Sequence, residues 1–164
     1  MSKKQRMALK IRIHESNSGI PTDAEIAAVI EKRWGFREEC PDFIKYAQSV
    51  IRGFKFPMNV WRGLYLPQGK QLRLDGNVGT HWTYNYDMFT SNKSAEWFAS
   101  GKLNVILYGK IRPEQVNWNQ TILDIATDYD PKRGYASPTG AEYEIELKKN
   151  EIPDSLEIWC DYRD

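Results

Sequence analysis

The stretch Gly140-Ala141-Glu142-Tyr143-Glu144-Ile145-Glu146-Leu147 alternates without a break: Tyr143, Ile145 and Leu147 share one parity, Glu142, Glu144 and Glu146 the other. Period two is the strand period, so the spacing predicts a β-strand with an apolar face and a carboxylate face. At a rise of roughly 3.3 Å per residue, successive glutamates on that face stand about 6.5–7 Å apart. Such a row suits a half-exposed strand whose glutamates face water. It suits equally a pair of acids held over a substrate, and alternation alone does not separate the two.

Upstream of this strand, Thr127 to Gly140 reads as a long loop rich in turn formers (Asp128, Asp130, Pro131, Gly134, Pro138), and loops of that length inside a domain usually carry function. Farther back, Leu103 to Ile111 predicts a strong strand ended by Pro113, and Gln120 to Ile125 a short one. Thr90 or Ser91 caps a helix through Ala95-Glu96-Trp97-Phe98-Ala99. Thr80 to Tyr84 and Met58 to Pro67 are predicted strands, and Leu72 and Leu74 alternate with basic residues between them. Toward the N-terminus, Thr22 or Asp23 caps a helix closed by Gly35, and a second helix runs from Pro41-Asp42 to Gly53. Met7 to Ile13 alternates as a first strand. Leu156 to Trp159 is the last.

Helices first and then mostly strands predict an α+β fold: N-terminal helices packed on a mostly antiparallel, split sheet. The expected organisation is one domain, residues 1–164, with a helical region 1–56 and a β-rich core 57–164. The same order argues against a parallel βαβ nucleotide fold, and no GxGxxG or P-loop sequence is present, so a dinucleotide would bind on different machinery.

The 164 residues carry a net charge of +1, which gives no whole-molecule case for nucleic acid or membrane binding. Basic residues gather at Lys3, Lys4, Arg6, Lys10 and Arg12, as in an ordinary solvated tail. Two cysteines (Cys40, Cys160) and two histidines (His14, His81) are too few for a structural zinc site or a disulfide framework, so no metal is expected. Reduced thiols, no secretory signal and no apolar run of about 20 residues lead to the expectation of a cytoplasmic protein without a membrane partner.

Three marks follow in order: Trp61-Arg62-Gly63; His81-Trp82-Thr83 leading into the Ala95–Ala99 helix; and Glu142-Tyr143-Glu144 after the long loop. Their order over about Val60 to Leu147 resembles the ADP-ribosyltransferase superfamily, in its arginine–serine–glutamate (cholera-toxin-like and clostridial-type) branch. That branch has a strand arginine, a Ser-x-Ser/Thr strand and a Glu-x-Glu strand. The chain departs from it at His81, which stands where the family has the first serine; an imidazole can donate the same hydrogen bond. The histidine is similar in type to that of the diphtheria-toxin-like branch, but Arg62 argues against that placement.

The resemblance implies a mono-ADP-ribosyltransferase that takes NAD as co-substrate and modifies a macromolecule. The Glu-x-Glu spacing points to a protein arginine. By the same resemblance Glu144 is the catalytic carboxylate, Glu142 acts on the nucleophile and Arg62 binds the cofactor. Gly63, His81, Trp82 and Thr83 shape the NAD pocket, and Tyr135 touches the acceptor. Trp61, Tyr84 and Phe89 are further stacking candidates, each with an alternative place in the sheet core. Glu146 has no motif match and is read as solvated or structural, with solvent the expectation.

The compact core resembles bacteriophage-encoded transferases acting in host cytoplasm on host proteins; a small bacterial toxin fits equally. A monomer is plausible. Alternatives are an NAD glycohydrolase, a nucleic-acid ADP-ribosyltransferase and, from another class, a non-catalytic RNA- or protein-binding module.

Overall fold

The computed structural model of the protein describes residues 19–71, 78–90, 92–132, 135–136 and 143–163. Among them are four α-helices: α1 (Asp23–Trp34), α2 (Cys40–Arg52), α3 (Asn92–Ala99) and α4 (Trp118–Asp128). The strands are β1 (Met58–Leu64), β2 (His81–Thr83), β3 (Val105–Ile111), β4 (Tyr129–Asp130), β5 (Tyr135–Ala136), β6 (Glu144–Glu146) and β7 (Asp154–Asp161). The strand expected at Met7–Ile13 and the alternation at Leu72 and Leu74 lie outside the described residues, as does Ser91.

Thr22 starts α1 through a capping box with Glu25: its hydroxyl accepts from the Glu25 N–H at 3.3 Å, and its own N–H donates to the Glu25 carboxylate at 3.2 Å. Gly35 ends the helix by donating to the Glu31 carbonyl, so close that a Cβ on Gly35 would stand 2.6 Å from that oxygen. Pro41 sits in the first turn of α2, where its missing N–H costs nothing. The apolar faces of both helices meet in a core of Ile26, Ile30, Phe43, Ala47 and Ile51.

Ile122, Ile125 and Ala126 complete that core, and they correct the expected strand at Gln120–Ile125. The segment is the middle of α4, begun by the Asn117 side chain accepting from Gln120 N–H. Spacing of three and four residues puts Ile122, Ile125 and Ala126 on one helical stripe, where a strand would have split them between two faces. The helical layer therefore draws on residues beyond position 56. The loop expected from Thr127 begins inside α4 and continues into a short ribbon in which Tyr129 pairs with Ala136 and Asp130 with Tyr135.

The α+β class and the antiparallel sheet expected from element order are both present. Five strands form one sheet in the order β6-β2-β1-β3-β7, with every neighbouring pair antiparallel. Where a split was expected, the ladder is continuous but narrow. β1 meets β3 through seven register pairs and meets β2 through the single pair Trp61↔Thr83. One face of the sheet buries Val60, Trp82, Val105, Leu107, Ile145 and Leu147.

Of the alternating stretch, residues 140–142 lie outside the described residues. Tyr143 adopts φ +50°, a left-handed conformation outside the strand, and among the described residues the ladder begins at Glu144. From there the parity holds: Ile145 and Leu147 are buried. β6 is an edge strand, and α4 covers its exposed backbone. Asn117 N–H donates to the Glu146 carbonyl at 2.8 Å, and Glu146 N–H donates to the Thr121 hydroxyl at 3.0 Å. Among the described residues no helix is long and apolar enough to cross a membrane.

Candidate active site

The narrow join between β1 and β2 opens a cavity of about 190 Å³ lined by Trp61, Arg62, Gly63, His81, Trp82, Thr83, Phe89 and Glu144, among others. Register brings Trp61, Thr83 and Glu144 to one face, while Arg62 has the other parity and joins them by reaching the His81 carbonyl. Cross-strand partners point their side chains to the same face, and Thr83 pairs with Trp61 on one side and with Glu144 on the other. The same rule places His81 opposite Glu146.

His81 Nδ1 lies 3.2 Å from Glu144 Oε1 and 3.9 Å from Glu146 Oε2. The imidazole is half exposed, while Glu144 and Glu146 retain only 30% and 17% of their side-chain exposure. Glu146, expected to face solvent, is thus turned inward beside His81. It is held there because α4 pins its backbone from the edge. Asp124 comes from the same helix; its carboxylate, the Glu146 carboxylate and the His81 ring offer oxygens and a nitrogen within 4.8 Å of one another. Asp124 carries no signal in the sequence, because a strand over Gln120–Ile125 gives it no place beside Glu146.

Arg62 donates through Nη1 to the His81 carbonyl, while its buried Nε has no partner among the described residues. Burial lowers the pKa of this guanidinium and the nearby Glu144 charge opposes the shift, so the group stays a cation at any physiological pH. Gly79, at φ +84°, lies directly over it: a Cβ there would stand 2.6 Å from Nη2. Gly63 is equally constrained, since its Cβ would come within 2.7 Å of Leu103 and 3.1 Å of Phe89.

Thr83 fixes the neighbouring chain. Its hydroxyl donates to the Tyr143 carbonyl at 3.2 Å and accepts from Asn85 N–H at 3.2 Å, and the N–H of Tyr84 also donates to Tyr143. The strained turn at Tyr143 is tied down by β2, which sets where Glu144 emerges.

The aromatics divide. Trp82, expected to stack on a ligand, is a core side chain, 1% exposed, with its indole N–H donating to the Gly79 carbonyl at 3.2 Å. Tyr84 packs against Phe54 and Tyr143, and burial drives its phenol pKa far up. Trp61 belongs to both places: it lines the cavity and packs between Tyr86 and Tyr108, with centroids 5.4 and 5.5 Å away. Phe89 gives the cavity an apolar wall. Tyr135 is placed by its backbone pairing with Asp130, and Glu142 lies outside the described residues.

A larger depression of about 650 Å³ lies between the end of α1 and α2, lined by Glu31, Arg37, Glu38 and Lys45 with Cys40 at its floor. Burial first, then the Glu31 charge, raises the pKa of that thiol. The smaller cavity at the join carries the convergent set: a guanidinium, an imidazole, a hydroxyl and the Glu144 carboxylate on three adjacent strands. No protein-family model matches the chain, and neither a curated protein nor a solved structure matches it significantly.

Proposed function

We propose that the chain is a mono-ADP-ribosyltransferase that transfers ADP-ribose from NAD to a macromolecular acceptor, with protein arginine as the first candidate. The observation that carries this reading is the meeting of Arg62, the His81–Thr83 strand and Glu144 in one cavity, although they are far apart in sequence. A cavity of about 190 Å³ admits a flat ring and not a whole dinucleotide, since ligand pockets that enclose their ligands run about 300–1,000 Å³. The nicotinamide end would enter against Phe89 and Trp61. The phosphates would lie toward Arg62, whose planar cation suits them.

In the reaction the bond between nicotinamide and the ribose anomeric carbon breaks, and its electron pair leaves with nicotinamide. Positive charge develops on the ribose, and the acceptor's nucleophilic atom closes on the same carbon as it loses a proton. Glu144, partly desolvated, stabilises the developing charge more strongly than it would in water. His81 orients the Glu144 carboxylate, Thr83 fixes the backbone that delivers it, and Glu142 is assigned to the acceptor's proton.

Incubation of the protein with isotopically labelled NAD and cell lysate tests the reading. Label should appear on a macromolecule with wild-type protein and vanish with Glu144→Ala. Label that persists unchanged in that variant would sink the proposed site. Release of nicotinamide without a labelled acceptor would replace transfer by hydrolysis at the same residues.

A further inference from the structure

Beside the cavity, at the edge where α4 meets β6, one imidazole and two carboxylates converge from three separate elements. We propose that His81, Asp124 and Glu146 bind a divalent first-row transition ion, with zinc as the reference case. The residues stand at positions 81, 124 and 146, so no sequence spacing announces them; only the fold brings them together.

Two ligand atoms held about 2.0–2.1 Å from a tetrahedral ion stand about 3.4 Å apart. His81 Nδ1 and Glu146 Oε2 are already 3.9 Å apart, and the three donors together lie within 4.8 Å. Small side-chain rotations close the remaining gap. The carboxylates at this spacing repel one another, and a divalent cation between them turns that repulsion into coordination. One imidazole with two carboxylates suits zinc, manganese, cobalt or nickel better than calcium or magnesium, which prefer all-oxygen sites.

The supporting shell is built as well. Gln120 Nε2 donates to Asp124 Oδ1 at 2.9 Å, orienting that carboxylate. The fully buried Thr121 holds Glu146 through its N–H, and Asn117 N–H holds the Glu146 carbonyl, so helix and strand keep a fixed relation. His81 is half exposed and gives the ion a path from solvent. Coordination uses the Nδ1 lone pair, so it replaces the contact of that nitrogen with Glu144. The inference needs no NAD chemistry and stands or falls separately from the transferase reading.

Titration calorimetry of the full chain with zinc chloride at pH 7.5 is the test, alongside nitrogen-15 spectra of the histidine rings. The chain has two histidines, so His14→Gln assigns the His81 signal. Saturable binding of one ion per chain is expected, with a large shift of His81 Nδ1. Affinity should fall at least tenfold in Asp124→Asn and in Glu146→Gln. Binding that survives His81→Ala at full strength belongs to a thiol, to His14 or to an all-oxygen site, and overturns the proposal. Absence of saturable binding, or an unshifted His81 ring in the wild type, overturns it whatever the folding of the variants.

Discussion

His81 and Glu144 sit on antiparallel neighbours, two residues out of register, and their side chains still meet at 3.2 Å. Direct register partners of these residues are Glu146 and Thr83, so the contact is diagonal across the β2–β6 ladder. The imidazole therefore bridges both glutamates of the strand. Glu144→Gln preserves shape and removes the charge. On the transferase reading it should lower nicotinamide release about 10²–10³-fold, the range for deleting one stabilising group of a developing charge. Thermal unfolding should change little, since the carboxylate is partly exposed. A rate within about threefold of wild type, far short of that range, would remove Glu144 from the chemistry.

Gly79→Ala tests how tightly the Arg62 guanidinium is seated. The position has φ +84°, and the added Cβ would stand 2.6 Å from Arg62 Nη2. A left-handed conformation costs a non-glycine residue about 1–2 kcal/mol, so the melting temperature should drop. The clash also pushes Arg62 out of place, so NAD affinity, read by calorimetry, should fall along with that of Arg62→Ala. Unchanged affinity in both variants would take Arg62 out of the binding site.

How far the sequence can be read depends on whether the signal is local. The Thr22–Glu25 box, Gly35 and Gly53 declare α1 and α2 in place, because each cap is satisfied within a few residues. The β2 motif and Glu144 are visible as a family-like order. Gln120–Ile125 misleads because apolar residues in a short window fit either period. Asn117 as a cap, and the stripe Ile122, Ile125, Ala126, hold the helical answer. The lack of a motif match sends Glu146 to solvent, since nothing beside it in the chain reveals that α4 crosses its edge. The alternation puts Tyr143 in mid-strand, whereas its left-handed turn depends on contacts from Thr83 and Tyr84, far away in the sequence.

Thr121→Val asks what that crossing contributes. Thr121 is fully buried; it accepts from Glu146 N–H at 3.0 Å and its hydroxyl donates to the Glu146 carbonyl at 3.4 Å. Valine fills the same space and leaves the Glu146 amide without its partner, which costs about 1–3 kcal/mol for a buried group. Chemical denaturation should show that loss with an unchanged slope. Thr121→Ser, which keeps the hydroxyl, should recover most of it. Equal destabilisation in both variants would assign the effect to the missing methyl.

Alkaline titration tests the aromatic packing between the helices and the sheet. Burial first, then the Asp128 charge, raises the Tyr46 pKa to about 12, and the same two causes push Tyr84 higher still. Both folded pKa values lie above the value of about 10 for an unfolded chain. Stability from these phenols is therefore complete below about pH 10. Above it the unfolded state releases protons that the folded state keeps, so stability falls as pH rises toward about 12. Tyrosinate absorbance should show at least two of the nine tyrosines silent at about pH 11 and appearing only with unfolding. Tyr84→Phe should move the alkaline unfolding midpoint upward. If all nine titrate together near pH 10 in folded protein, the packing of Tyr84 against Phe54 and Tyr143 is not as described.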